Sequence, residues 1–129
     1  MKEQKIHKAG LLCLEEGKLL IVYKEKLGAY ITLGGKLKPP ETDEECLQRE
    51  VLEEIGCKVN DLSYFNRFIS DALEQRCYFG KLGGIITLNQ DDSITGYCWI
   101  DKNYRALGIA LAPMLEYQII PKLIAMGLL

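Results

Sequence analysis

The chain has 129 residues, 48% of them hydrophobic, and sets 18 acids against 16 Lys and Arg for a net charge of −2. That length builds one globular domain, residues 1–129, and is too short for two ordinary ones; the near-neutral charge excludes attachment to nucleic acid by bulk attraction. No run of about 18 apolar residues suggests a membrane span, and the first ten residues lack the apolar stretch of a secretory signal.

Lys5–Leu14 and Lys18–Lys24 are apolar-rich runs flanking Glu15-Glu16-Gly17, a pattern that predicts a β-hairpin. Tyr30–Leu33 is a short strand-like segment, and Gly34-Gly35 after it reads as a turn that lets backbone approach another group closely. Pro39-Pro40 blocks a helix until Thr42, where Thr42-Asp43-Glu44-Glu45 fits a capping box. Gly56 is the natural stop. Strands are expected near Leu62–Ile69, Arg76–Lys81, Ile85–Leu88 and Tyr97–Ile100, with turns at Gly83-Gly84 and Asn89–Asp92. Ala112–Met126 predicts a C-terminal helix with Pro113 in its first turn and a kink or break at Pro121. The whole reads as one α+β domain with a mixed sheet.

The five cysteines (Cys13, Cys46, Cys57, Cys77, Cys98) are scattered and contain no Cys-x-x-Cys pair, as expected of reduced thiols in a cytoplasmic protein. His7 is the single histidine, which leaves no His-based triad or metal cluster.

The charge is unevenly distributed. Residues 41–54 hold seven acids (Glu41, Asp43, Glu44, Glu45, Glu50, Glu53, Glu54) and one base, Arg49. On the predicted helix Leu47, Val51 and Ile55 form the core stripe, broadened by Leu52, while Glu50, Glu53 and Glu54 share the neighbouring arc at i, i+3, i+4. Like charges at those spacings repel, and more strongly where partly buried. A hard divalent cation bound by carboxylate oxygens relieves that repulsion, and Mg²⁺ is the usual choice where phosphate is present. The plainer reading, a solvated acidic face, leaves unexplained why this helix is entered from a Gly-Gly and Pro-Pro loop.

Gly35, Glu41, Arg49-Glu50-Val51, Glu53-Glu54 and Gly56-Cys57 stand at the spacing G-x5-E-x7-R-E-U-x-E-E-x-G-U, where U is bulky and apolar. Residues 35–57 thus resemble the Nudix box, with only Cys57 soft at the last position. The resemblance implies an α/β/α sandwich with a mixed β-sheet and a loop–helix–loop metal site. It implies a Mg²⁺- or Mn²⁺-dependent hydrolase that cleaves the diphosphate linkage of a nucleoside diphosphate joined to a moiety X, such as a (deoxy)nucleoside triphosphate, by attack of water on phosphorus. By position, Gly35 (through its carbonyl), Glu50, Glu53 and Glu54 would hold the metal. Glu50 occupies the position that serves as base in some members, and Arg49 and Glu41 would orient helix and loop. The partner implied is a small nucleotide, and a homodimer is common among similar domains.

Several positions depart from the family pattern. Leu33 replaces a frequent Pro, Lys38 an acid, Pro40 a Gly, and Ser93 an additional metal-binding Glu for which Asp91, Asp92 and Glu74 are the candidate replacements. Ser70–Leu73 lacks the Pro of many ADP-ribose hydrolases, Leu73–Arg76 lacks the Tyr of many diadenosine polyphosphate hydrolases, and no coenzyme A signature precedes the box. Lys36, Lys38 and Arg67, with Lys24 and Arg76, are candidate phosphate contacts; Tyr30, Phe65 and Phe68 are candidate base-stacking rings, and Trp99 reads as core. The loss at Ser93 supports an alternative of a different class, a non-catalytic Nudix-fold module that binds a nucleotide or a partner.

Overall fold

The computed structural model describes residues 4–90 and 92–129. Strands β1 (Ile6–Leu12), β5 (Leu33–Lys36), β6 (Lys58–Ile69) and β7 (Leu73–Gly83) form one sheet in the order β5-β1-β7-β6. It is mixed: β1 runs parallel to β7 and antiparallel to β5, and β6 is antiparallel to β7. A second sheet is built on β3 (Lys18–Lys24), which pairs antiparallel with β2 (Leu14–Glu15), β4 (Ala29–Ile31) and β8 (Ile94–Ile100). Helix α1 (Asp43–Ile55) covers one side, and a C-terminal helical stretch ending in α2 (Ile120–Ala125) covers the other.

β1 and β3 are buried on both faces, so their hydrophobic runs are continuous rather than alternating. Ala9, Leu11, Leu20 and Val22 pack with Cys46, Leu47, Val51 and Ile55 of α1. Their neighbours Leu12, Leu19 and Ile21 point the other way, onto Leu115, Ile119, Ile120 and Leu123. Two core layers separated by strands make the expected three-layer α/β/α arrangement. Trp99 packs against the α1 layer, as expected.

Several local expectations need correction. The hairpin involves only β2 and β3, which pair Leu14 with Leu19 and Glu15 with Lys18 around Glu16-Gly17. Both turn residues take positive φ (51° and 74°), the geometry that suits a two-residue hairpin. β1 instead leaves at Cys13 for the other sheet. Gly34-Gly35 is no turn but lies within β5, Gly34 facing Gly10 and Gly35 facing Ala9. Ile85–Leu88 forms no strand; Thr87 N–H donates to the Ile55 carbonyl, so the segment caps the end of α1. Leu52 is 57% exposed and does not widen the core stripe. The C-terminal helix is not broken at Pro121: a π-helical turn at Leu115–Ile119 precedes it, and the Ile120 N–H reaches the Leu115 carbonyl. That widened turn accommodates a ring that would crowd the carbonyl of the preceding turn. Phe65 and Phe68 belong to the core layer under that helix rather than to a stacking surface.

The boundaries of α1 follow its sequence. Thr42 Oγ1 accepts from the Glu45 N–H and the Glu45 carboxylate from the Thr42 N–H, a complete capping box. Gly56 ends the helix at φ 68°, where its N–H donates to Leu52. The five cysteines are free thiols, and among the described residues no helix is long and apolar enough to cross a membrane. Removing the cap in Thr42→Ala should lower the unfolding free energy by about 1 kcal/mol, read as a reduced urea midpoint with an unchanged m-value.

Candidate active site

The site grows from the contact of α1 with β5. Glu54 is 4% exposed, and its Oε1 accepts the Gly34 N–H at 3.0 Å. Gly34 can present that N–H because it sits at φ 118°, with no room for a side chain against the Ala9 carbonyl. Gly35 is equally constrained: a methyl there would come within 2.5 Å of the Glu50 carboxyl carbon. Two glycines in a strand therefore bring bare backbone against two carboxylates of one helix.

Arg49 organises the outer side. Its Nε and Nη2 hold the two oxygens of Glu41 at 2.6 and 2.9 Å, its Nη1 holds Glu50 at 2.8 Å, and Glu53 lies 3.5 Å away. The guanidinium also donates to the Lys36 carbonyl. The loop is closed by the Lys38 N–H, which donates to Glu41. Glu41 is accordingly held down to about 2, first by the Arg49 hydrogen bond and then by Lys38. The Cys46 thiol, buried beneath, reaches the carbonyls of Gly35 and Lys36 at 3.5 and 3.7 Å.

Glu54 has no such partner. Burial, which Glu50 and Asp92 reinforce and the Gly34 N–H opposes, pushes it up to about 9. Glu53 and Glu54 lie in the last turn of α1, a turn without a base, where the helix dipole also disfavours negative charge. A buried carboxylate facing two further acids is a site short of positive charge.

Among the described residues, no three His, Cys, Asp or Glu side chains come together as a group able to hold a metal. Glu50 is turned onto Arg49, Glu53 is half-exposed, and Glu54 is hydrogen-bonded to Gly34. The donors are nonetheless all oxygens, which suits a hard divalent cation.

The other sequence candidates divide. Lys24 lies close enough for its charge to act on Glu54. Lys36 and Lys38 serve Arg49 and Glu41 through their backbone. Arg67 instead pairs with Glu74 at 3.8 Å, and no ion pair joins it to Glu50, Glu53 or Glu54. Arg76 grips both Asp43 oxygens at 2.7 Å and so clamps the start of α1 to β7. Glu74 is taken up by Arg76, Arg67 and His7, and Asp91 lies outside the described residues. Of Asp92 and Glu74, Asp92 is the one whose charge reaches Glu54.

Beside Gly34 and Gly35 opens a cavity of about 400 Å³ between the first sheet and the C-terminal helix. Ile31, Leu73, Met114 and Ile119 make its walls apolar, and Lys8 is its cation. Burial and Lys24 lower the pKa of Lys8, while Glu50 and Glu54 raise it, so this lysine stands between the cavity and the acidic ridge. Sequence reading passed over Lys8 and the cavity's buried polar pair, Thr32 and Gln75. Lys8 and Gln75 lie in strands whose pattern is otherwise that of core, Thr32 stands between β4 and β5, and only the pairing of β1 with β7 brings Lys8 beside Gln75.

Comparison with known proteins identifies the family and the fold. The family model described as NUDIX domain matches residues 6–110. The chain belongs to that family. A curated relative, the NAD-capped RNA hydrolase NudC of Chromobacterium violaceum, is 51% identical over 37 residues, 29% of this chain. The match spans only 14% of that relative's length. A MutT structure from work on Aliivibrio salmonicida and Vibrio cholerae superposes with a TM-score of 0.73 at 19% identity, covering 95% of this chain and 98% of the other. The MutT Nudix hydrolase of Burkholderia pseudomallei gives 0.67 at 21% identity, over 86% and 90%. At these identities the structures establish the fold.

The raised Glu54 predicts a pH dependence for this Nudix domain. A carboxyl whose pKa is higher folded than unfolded adds stability below its unfolded value, near 4.5, and loses it as pH rises towards about 9. Without divalent cations, Glu54→Gln should gain stability relative to wild type between pH 5 and 8, by up to about 1.4 kcal/mol per pH unit. Parallel denaturation curves at those two pH values check it.

Proposed function

We propose that this Nudix domain is a Mg²⁺- or Mn²⁺-dependent hydrolase of the diphosphate linkage in a nucleoside diphosphate joined to X, with (deoxy)nucleoside triphosphates as the first candidates. The observation that carries the reading is the carboxylate of Glu54, buried against the Gly34 N–H with Glu50 and Glu53 on the same ridge. A monomeric scaffold gains nothing from that arrangement, whereas a cation-assisted site needs it.

Glu50, Glu53, Glu54 and the Gly35 carbonyl would hold the cation, whose chemistry is to neutralise charge on the phosphate oxygens and to make water a better nucleophile. Arg49 keeps Glu50 oriented and joins it to the Glu41 loop. Because Arg49 also holds both oxygens of Glu41, the loop would keep an anchor if Glu50 were to serve a cation. Glu50 also stands at the position that serves as base in some members of the family, where it would take a proton from the attacking water. Lys8 and Lys24 supply positive charge beside the ridge for a polyphosphate.

A nucleotide panel with Mg²⁺ and Mn²⁺ tests the reading. At least one substrate should turn over, and Glu53→Gln and Glu54→Gln should each slow it by roughly 10²-fold or more. Gly35→Ala, which drives a methyl into Glu50, should lower kcat comparably with the fold intact. Unchanged rates in all three variants contradict the assignment, and nucleotide binding with no turnover would support the non-catalytic module.

A further inference from the structure

The edge strand of a β-sheet presents unpaired backbone N–H and C=O groups, and folded chains blunt such edges with cover, bulges, Pro or charge. Most edges of the two sheets are blunted here. Glu54 takes the Gly34 N–H and Arg49 donates to the Lys36 carbonyl, so α1 covers β5. β6 is irregular between Asn60 and Ser63 and again between Tyr64 and Asn66, with Asp61 at φ 55°. β2 is two residues long. β4 is met by the chain at 110–112, where the Tyr30 N–H donates to the Ala110 carbonyl and the Ala112 N–H to the Tyr30 carbonyl. β8 differs: among the described residues β3 is its one strand neighbour.

Ile94–Ile100 holds no charge and no Pro, and its β-branched and aromatic residues favour extended pairing. Which of its backbone groups face outward follows from the alternation of an antiparallel ladder. Tyr30 turns its N–H and C=O away from β3, so Val22 and Lys24 are the residues of β3 that bond to β4. Leu19, Ile21 and Tyr23 therefore bond on the other side, to Ile100, Cys98 and Gly96. The N–H and C=O groups of Thr95, Tyr97 and Trp99 are left pointing out of the sheet, and among the described residues none of them has a backbone partner. The Cys98 thiol leans on the Trp99 carbonyl at 3.7 Å. The side chains of the same three residues share one face, on which Trp99 packs against the α1 layer and Tyr97 is 44% exposed.

We propose that β8 is a self-association edge: two copies of this chain pair their β8 strands antiparallel across a two-fold axis at Tyr97, continuing the second sheet from one copy into the other. In that register Tyr97 exchanges both hydrogen bonds with its counterpart, and Thr95 does so with the second copy's Trp99, so outward groups meet outward groups. A two-fold contact needs a patch that complements itself, and the charges flanking β8 do so. Asp92 stands two residues before the strand and Lys102 two residues after it. The pairing therefore brings each copy's acid to the other's base and sets Ser93, not an acid, opposite Asp101. An extended peptide added to this edge would use the same backbone groups without that match of charges. One strand pair is small for a permanent dimer, so the association is weak and depends on concentration. It is independent of the hydrolase reading.

Sedimentation equilibrium of the full chain tests this, with thiols kept reduced, divalent cations chelated and concentration varied over a roughly hundredfold range. The mass should rise from monomer towards dimer. Amide hydrogen exchange should slow with concentration at Thr95, Tyr97 and Trp99, and stay unchanged at Gly96 and Cys98, which already bond to β3. Tyr97→Lys sets like charges opposite each other and should weaken association about tenfold or more, as should Tyr97→Glu. An equimolar mixture of the two variants should restore association, which a mere loss of packing would not do. A wild type that stays monomeric over the whole range overturns the proposal and leaves the edge to an extended segment of another protein. A dimer that Tyr97→Lys leaves intact, or in which Thr95, Tyr97 and Trp99 exchange as fast as in the monomer, lies on another face and overturns it too. If the variants do not fold, the exchange pattern of the wild type decides by the same criterion.

Discussion

The hydrogen bond from the Gly34 N–H to the buried Glu54 carboxylate ties the parts of this molecule together. It joins the last turn of α1 to β5, and through β5 to β1 and the sheet behind it. It also fixes an acid where burial, neighbouring acids and the helix dipole all oppose ionisation. The glycines at 34 and 35 are what allow it, since a side chain at either position would collide with Ala9 or Glu50.

Around this bond the charge is arranged in two tiers. Arg49 satisfies Glu41 and Glu50 in the outer tier, where solvent is near. Glu54 in the inner tier has only a backbone N–H. The negative window at residues 41–54 is therefore not one solvated face. Its front half caps α1 and pins it to β7 through Asp43 and Arg76. Its rear half is left short of positive charge, and that shortage is what a divalent cation and a polyphosphate would together resolve.

How much of this was legible beforehand depends on the range of the interactions involved. The capping box at Thr42, the stop at Gly56 and the Leu47–Val51–Ile55 stripe are local, and their residue types determine them. Gly34-Gly35 was legible as a place where backbone comes close to another group, though not that the group at Gly35 is Glu50. What was missed is non-local. The exchange of β1 from the expected hairpin into the β5-β1-β7-β6 sheet is decided by pairings more than twenty residues apart, for which alternating patterns carry no signal once both faces are buried. Lys8, Thr32 and Gln75 meet only as a result of that exchange, so the cavity could not be read from the chain. The π-helical turn ahead of Pro121 was likewise hidden, since sequence marks where a helix is strained but not how the strain is absorbed.

On the proposed function, a divalent cation would bind at the rear half of the acidic window and not at its front half. Paramagnetic broadening of backbone amide resonances by substoichiometric Mn²⁺ tests this residue by residue. Loss of signal should concentrate at Gly34, Gly35 and Glu50–Glu54, with Asp43–Glu45 largely spared. Broadening centred on Asp43–Glu45, or spread evenly over the exposed acids, would contradict it.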